Sequence, residues 1–596
     1  MSAVDGAGSG RRVAWLRLRG YVARNRGLYA FWLASTLAYT AGFVAIPKLV
    51  GNAIGAVGQG LGPGEVGRRA ALVALVALGA AVVRYYSRTL VFNAAREIEY
   101  EIRNDLFAQL ERLPQSFYFQ WRTGDIMSRC VNDVNAVRML LGVALLNLVQ
   151  TPILTLGSLA VMFWMDARLT ALLLIPYPLF VLIGRTLGRR IHQASLSVQQ
   201  GLGDLSNRLQ ESISGIAVVK AYAMEGAMAR RFAETNRELY RRQLALVRAN
   251  AAMPSTVMLL PAAAQWVILL FGGSSILAGR MTPGEFITFA MYVFQLTFPT
   301  VLMGWVVALI QRGAASMQRI DELLRVVPAI RDRPDALPGL ELSGEIELRG
   351  LTFRYPGTGR EPALRELSLR IPAGTTLGVV GPVGAGKSTL ASLVPRLWEV
   401  PDGTLFLDGV DVNRIPLRAL RAQIAMVPQE SFLFSMTLAD NVAFGLARTE
   451  PEAVRRAARR AQLAKDVDEL PDGYETVVGE RGVMLSGGQR QRTALARALA
   501  LDPRILILDD TLSAVDAQTE AAIQRELEAV FQGRTVIVVS SRVSAVRGAD
   551  RIVVLDEGRL VEQGGHEELV ARGGLYARLA AEQERAQREA PLEGAA

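Results

Sequence analysis

Long apolar runs fill the first half of the chain and then stop. They cover 28–50, 70–91, 139–164, 169–184, 253–278 and 284–309. About 20 residues at 1.5 Å rise cross the ~30 Å hydrocarbon core of a bilayer, and the pattern therefore predicts six membrane-spanning helices. The fourth run is short and continues as a helix into the polar stretch behind it. Ahead of the first run, 11–24 mixes arginines with Trp15, Leu16, Leu18 and Tyr21. That is the pattern of a short helix lying in the membrane interface, its arginines among lipid headgroups. From about 345 the period changes to short apolar runs such as 377–380 and 505–508 alternating with helical stretches, the mark of a soluble α/β domain.

The connecting segments set the topology. Loops 166–168 and 279–283 are tiny, whereas 92–138 and 185–252 are long, helical in period and rich in Arg and Glu. Arg17, Arg19, Arg24 and Arg26 precede the first run. Positive charge thus gathers on the side of the N-terminus and the long loops, which the positive-inside rule makes cytoplasmic. The expected organisation is a cytoplasmic N-terminus with an interfacial helix (1–27), an all-α six-helix membrane domain (28–314), a linker (315–344, Pro-rich over 327–343), an α/β nucleotide-binding domain (345–579) and a polar tail (580–596). The multi-pass protein is expected in the inner (plasma) membrane, with its soluble domain in the cytoplasm. Arg84 and Arg88 interrupt the second run; charges are costly in lipid and should face a cavity, a partner helix or the interface.

Composition agrees. The chain has 596 residues, 51% of them apolar and only 20% charged, too apolar for a soluble protein of this length. A net charge of +10 suggests nucleic acid, but the excess lies beside apolar segments rather than in one basic patch, which argues against that partner. Cys130 stands alone, so no intrachain disulfide forms; His192 and His566 are the only histidines.

Three motifs carry chemistry. Gly381-Pro382-Val383-Gly384-Ala385-Gly386-Lys387-Ser388, followed by Thr389, stands between a strand-like run and a helix, the context a P-loop needs. Its glycines let backbone N–H groups wrap phosphates, Lys387 reaches the β/γ oxygens, and Ser388 can ligate magnesium; ATP and Mg²⁺ are the cofactors implied. Asp509 closes the apolar run 505–508 and is placed to hold magnesium; Asp510 follows it. Leu485-Ser486-Gly487-Gly488-Gln489 opens a helix and forms a second phosphate cradle.

With that third motif the chain resembles the ABC transporter superfamily, and the membrane-first order resembles its exporters. The resemblance implies further roles. Tyr355 looks like the aromatic that stacks on adenine, and Gln429 like the Q-loop glutamine that touches magnesium. Glu480 falls in a segment resembling the exporters' X-loop, and Ser513 and Asp516 in one resembling the D-loop. Thr123, Gly124 and Asp125 fall in a segment similar to the first cytoplasmic coupling loop, and Glu225 in one similar to the second. In the family each signature closes on the P-loop of the opposite subunit, sandwiching two ATP molecules.

Two positions depart from the family pattern. Hydrolysing members carry Glu where this chain has Asp510, and a switch His where it has Ser541. A carboxylate one methylene short misplaces a catalytic group by ~1 Å, enough to cost on the order of 10²-fold. ATP should therefore bind while cleavage slows. The economical expectation is an asymmetric heterodimer in which this chain holds ATP in a degenerate site and lends Leu485–Gln489 to a second half-transporter carrying Glu and His. The alternative is a homodimer with little turnover acting as a gated channel or regulator. Drugs, lipids and peptides of amphipathic character all fit the expected cargo. Gln150, Gln265, Gln295 and Arg84, among Trp266, Phe294 and Trp305, are candidates to line a cavity, although intramembrane amides serve more often as interhelical hydrogen-bond donors.

Overall fold

The computed structural model describes residues 2–589 apart from 338, 358–360, 480–483 and 512–516. It divides into two compact units, Met1–Gln109 with Gly124–Arg325, and Leu110–Thr123 with Val326–Ala596.

The first unit is helical. The sequence places an interfacial helix over 11–24; α1 runs Ser2–Arg24 and buries Ala14, Leu18 and Tyr21 while exposing Val13, Trp15 and Leu16. It is pinned by Tyr21, whose hydroxyl donates to Asp105 at 2.6 Å, and by an Arg17–Asp321 ion pair at 2.7 Å. Long helical columns follow. These are α2 (Arg26–Gly58); α3 (Pro63–Arg112); α5 (Thr123–Ser128), α6 (Val134–Met139) and α7 (Leu145–Met165), joined by π-turns; α8 (Ala167–Leu174) and α9 (Tyr177–Ser214); α11 (Glu225–Val267) and α12 (Gly273–Leu277), behind the short α10 (Ile216–Ala221); and α13 (Pro283–Leu324). The short helix α4 (Gln115–Gln120) belongs to the other unit.

Among the described residues, four columns are long and apolar enough to cross a membrane: Arg26–Gly58, Pro63–Arg112, Thr123–Met165 and Ala167–Ser214. The fifth expected span, 253–278, contains among the described residues the apolar stretch Pro261–Leu277. The small loops turn by local capping. Asp166 accepts the N–H of Leu169 at 3.0 Å, and Thr282 and Glu285 form a capping box ahead of Pro283 at the first turn of α13.

Residues 315–324, which the sequence reading assigns to a linker, instead continue α13. Met317, Ile320 and Leu323 are buried there at helical spacing, and that burial carries the helix on. Where α2 crosses α13, a Cβ on Gly51 would stand 2.5 Å from the carbonyl oxygen of Gly284, so only small residues let the two backbones meet. Below the apolar zone, Asp133 is buried and receives Ser316 at 2.8 Å and both nitrogens of the Arg319 fork, which holds the Arg319 guanidinium above its ordinary pKa.

The second unit carries two sheets. One is antiparallel, in the order β2 (Leu364–Ile371), β1 (Ile346–Phe353), β4 (Leu405–Leu407), β5 (Val410–Asp411). The other has the order β10-β9-β3-β8-β7-β6, from β3 (Thr376–Val380), β6 (Ile424–Val427), β7 (Ile505–Asp509), β8 (Thr535–Val539), β9 (Arg551–Asp556) and β10 (Arg559–Gly564). All of its pairs are parallel except the edge pair β9–β10. The two sheets differ in sequence for one reason. β1 alternates buried and accessible positions, as a strand with one wet face must, whereas β7 is buried throughout because both its faces are covered. The expected polar tail after 579 is helical to Glu589, within a helix starting at Leu575.

Candidate nucleotide-binding site

Four neighbouring parallel strands deliver the candidate groups to one edge of the sheet. β3 runs into the glycine loop, β7 ends in Asp509, β8 leads to Ser540 and Ser541, and β6 leads to Gln429. The carboxyl ends of parallel strands are where open α/β sheets bind ligands.

The loop 381–386 opens the helix Lys387–Leu393. Gly386 has φ +96°, and a Cβ there would lie 2.6 Å from the carbonyl oxygen of Ala363, so the loop tolerates no side chain at that point. Val383 stands at the exposed tip, while Ala385 and Thr389 are buried and anchor the loop to the core. Lys387 folds back on the loop, its Nζ donating to the carbonyls of Gly381 at 2.8 Å and Pro382 at 2.9 Å. Burial pushes its pKa down, and Asp510 and Asp509 partly offset that. A β/γ-phosphate would exchange these neutral acceptors for charged ones, which make shorter and stronger bonds.

Ser388 Oγ donates to Asp509 Oδ1 at 3.0 Å. Asp509 is 4% exposed, and burial pushes its carboxyl pKa up against the lowering effect of Ser388. One buried carboxylate beside one hydroxyl is a hard-oxygen pair suited to a cation that draws its other ligands from phosphate and water, so the residues fit magnesium. Gln429, expected beside them, has an exposed side chain and makes no hydrogen bond to either. Tyr355 hydrogen-bonds Thr389 Oγ1 at 2.9 Å and packs edge-on to Trp398 at 4.8 Å. Phe119 of α4 stacks over Tyr355 at 6.3 Å, an aromatic neighbour that the sequence reading did not name.

Asp510 has φ +47°; its N–H donates to the carbonyl of Val539 at 2.8 Å, and its Oδ1 accepts Ser540 Oγ at 3.3 Å. Ser541 is exposed, and its carbonyl accepts the side-chain amide of Gln583 at 2.8 Å. Nothing in the sequence pattern points to Gln583.

The signature opens the helix Gly487–Ala500 as a reciprocal cap. Ser486 Oγ accepts the N–H of Gln489 at 3.2 Å, and Gln489 Oε1 accepts the N–H of Ser486 at 3.0 Å. The Ser-x-x-Gln spacing of a capping box was the signal for this. Leu485 is buried beneath it, leaving the first-turn N–H groups of Gly487 and Gly488 at the helix start.

The segment 117–125 divides between the units. Thr123 belongs with the nucleotide unit, whereas Gly124 and Asp125 belong with the membrane unit, where Asp125 pairs with Arg129 at 3.2 Å. Glu225 pairs with Lys220 at 3.0 Å, both exposed. Glu480, Ser513 and Asp516 lie outside the described residues. In the membrane unit, Arg84, Gln150, Gln295 and Phe294 line one cavity, whereas Gln265, Trp266 and Trp305 do not line it.

A bundle of long apolar helices in one chain with a P-loop on a parallel sheet defines a membrane ATPase. The chain belongs to the ABC transporter family: the model of the ABC transporter transmembrane region matches residues 29–300 and that of the ABC transporter domain matches 364–513. It is an exporter-type half-transporter, one membrane region fused to one ATPase domain. It is 34% identical over 89% of its length to Multidrug resistance-like ATP-binding protein MdlA of Escherichia coli, covering 90% of that protein. It is 38% identical over 80% of its length to the ATP-dependent lipid A-core flippase of Chromobacterium violaceum, covering 81%. Among solved structures, a bacterial Atm1-family ABC exporter with ATP bound superposes with a TM-score of 0.78 at 28% identity, covering 94% of this chain and 99% of that one.

Proposed function

We propose that this ATP-driven exporter grips ATP at its own P-loop, cleaves it slowly there, and completes the fast hydrolytic site of a second, non-identical half-transporter. One observation carries the reading. Lys387, Ser388, Asp509 and Tyr355 are assembled for binding, while the two groups next to where a γ-phosphate would lie are the short carboxylate of Asp510 and the non-basic Ser541.

In this reading the backbone N–H groups of Gly381 and of 383–389 bind the phosphates together with Lys387, and Tyr355 covers the adenine. Ser388 and Asp509 would hold magnesium, with Gln429 joining them on moving in from its exposed position, and the ion would supply charge neutralisation to the phosphates. Asp510 is the residue positioned to accept a proton from attacking water. Its carboxylate is one methylene shorter than glutamate and already receives Ser540, which weakens it as a base. No imidazole stands at 541 to contact the γ-phosphate. Gly487 and Gly488 present N–H groups, and Ser486 its hydroxyl, to the ATP held by the other subunit, and Ser513 and Asp516 keep the D-loop role that the family resemblance gives them. Closure of the two ATPase domains reaches the membrane helices through 123–125, Glu225 and Glu480. Each nucleotide state must therefore favour one helix arrangement over the other.

The arginine distribution supports an inner (plasma) membrane protein with its N-terminus and ATPase domain in the cytoplasm. The names of the relatives support an amphipathic cargo, a drug or a lipid. The test compares phosphate release by the purified chain alone with that of the pair co-purified with a half-transporter carrying Glu and His. Little activity alone and strong activity in the pair is expected. Rapid release by the chain alone overturns the reading, and a low rate that no second subunit raises favours the homodimeric regulator.

A further inference from the structure

The membrane unit encloses a cavity of about 350 Å³ between α2, α3, α7 and α13, a volume in the range of small-ligand sites. Its wall is graded in polarity. A hydrogen bond at 2.7 Å between Thr36 and Ser87 fixes the register of the antiparallel helices α2 and α3. Arg84 is level with Tyr39, its guanidinium 5.6 Å from the ring centre, and Arg88 is one turn further on the same face of α3. Asn147 and Gln150 add amides. Ile46 and Pro47 stand seven and eight residues beyond Tyr39 along α2, roughly 10 Å away at 1.5 Å per residue. They, Phe43, Leu154, Met291 and Phe294 make most of the rest of the wall apolar, with Thr151 and Gln295 as its polar members.

Both arginines are exposed, no acidic side chain lines the cavity, and neither arginine forms an ion pair among the described residues. Two like charges four residues apart on one helix repel. Intramembrane cations normally find a counter-charge, and the described residues of this chain supply none. We infer that the counter-charge is the cargo: this cavity binds an amphiphile with an anionic phosphate or carboxylate head on Arg84 and Arg88 and its tail against Phe43, Ile46, Pro47 and Leu154. This rests on the exporter reading and narrows its cargo class. The planar guanidinium forks suit the paired oxygens of such a head.

The test measures binding to the full-length protein in neutral glycoside micelles without nucleotide, so its outcome is independent of whether hydrolysis needs a second subunit. The probes are dodecyl phosphate, dodecanoate, dodecyltrimethylammonium and inorganic phosphate. Dodecyl phosphate and dodecanoate should bind at least tenfold tighter than dodecyltrimethylammonium, and inorganic phosphate at least tenfold weaker than dodecyl phosphate. Arg84→Gln with Arg88→Gln should remove the preference, and Arg84→Lys with Arg88→Lys should retain most of it, which separates lost charge from lost fold. Equal binding of the cationic and anionic probes overturns the inference, as does a Gln double variant that keeps its preference. Inorganic phosphate binding as tightly as dodecyl phosphate overturns the amphiphile assignment.

Discussion

The side-chain amide of Gln295 on α13 donates at 3.3 Å to the carbonyl of Phe43 on α2. Phe43 lies four residues before Pro47, which has no N–H to give it, so this carbonyl is the acceptor that the proline leaves without its helical partner. Tyr292 and Thr288 reach Val44 and Pro47 along the same seam, at 2.7 and 3.3 Å. Prolines survive in membrane helices when a neighbouring helix satisfies the freed group, and here the neighbour is α13.

A thermodynamic cycle isolates that relationship. Gln295→Leu should cost about 0.6–1.7 kcal/mol, the range for interhelical hydrogen bonds in membranes. Pro47→Ala restores a backbone donor to Phe43, so the same Gln295→Leu change should cost close to nothing in that background. Thermal unfolding of the four proteins in detergent reads the coupling, and an equal cost in both backgrounds would refute it.

Asp133 and Arg319 hold the lower part of the membrane unit. The carboxylate is buried and the guanidinium is 51% exposed, so the burial cost falls on the aspartate. Arg319→Ala strands that charge with Ser316 as its remaining side-chain donor among the described residues. The loss should be about 3 kcal/mol, the low end for breaking a buried pair because the arginine is half-solvated. Asp133→Asn combined with Arg319→Met removes both charges and should cost less than Arg319→Ala alone. Urea unfolding of the detergent-solubilised protein followed by tryptophan fluorescence decides the ordering.

At the nucleotide site, Asp510→Glu lengthens the carboxylate by one methylene, and Ser541→His adds the missing imidazole. If these two positions limit cleavage, the double variant should release phosphate on the order of 10²-fold faster than the parent, and Asp510→Glu alone should give part of that gain. ATP affinity should stay within a few-fold, since Lys387, Ser388 and Tyr355 are untouched. Steady-state phosphate release alongside nucleotide binding separates the two effects, and an unchanged rate in the double variant would sink the degenerate-site reading.

Much of this site was legible because its groups are contiguous: the loop 381–388, the pair 509–510 and the signature 485–489 each need one strand-to-helix junction or one helix start. Long-range partners were not legible. Gln295 could be named as an intramembrane amide, but its use for Phe43 depends on two helices crossing at the paired glycines 51 and 284. The helix through 315–324 was missed because prolines further on suggested a linker earlier than the chain begins one. Its buried Met317, Ile320 and Leu323 gain meaning only once a packing face exists. Phe119 comes from a different part of the chain from Tyr355, and no local pattern joins them.

Gln583 offers the last case of this kind. It lies in the segment read from composition as a polar tail, yet its amide grips the backbone that follows β8. Nε2 donates to the carbonyl of Ser541 at 2.8 Å, and Oε1 accepts the N–H of Val543 at 2.7 Å. One side chain thus acts like a neighbouring strand for the segment that carries Ser541. Gln583→Ala removes both bonds. Each contributes about 0.5–1.5 kcal/mol net, and the solvent-exposed one contributes at the low end. Local opening of 541–543 should then be easier by about 1.4 kcal/mol, a tenfold faster hydrogen exchange at the Val543 amide. Gln583→Glu keeps the acceptor for Val543 but sets a carboxylate against the Ser541 carbonyl, so its exchange should fall between the two. Exchange across β3 and β7, which do not touch this side chain, should stay as in the parent. A Val543 amide equally protected in all three proteins would mean that the C-terminal helix does not restrain this segment.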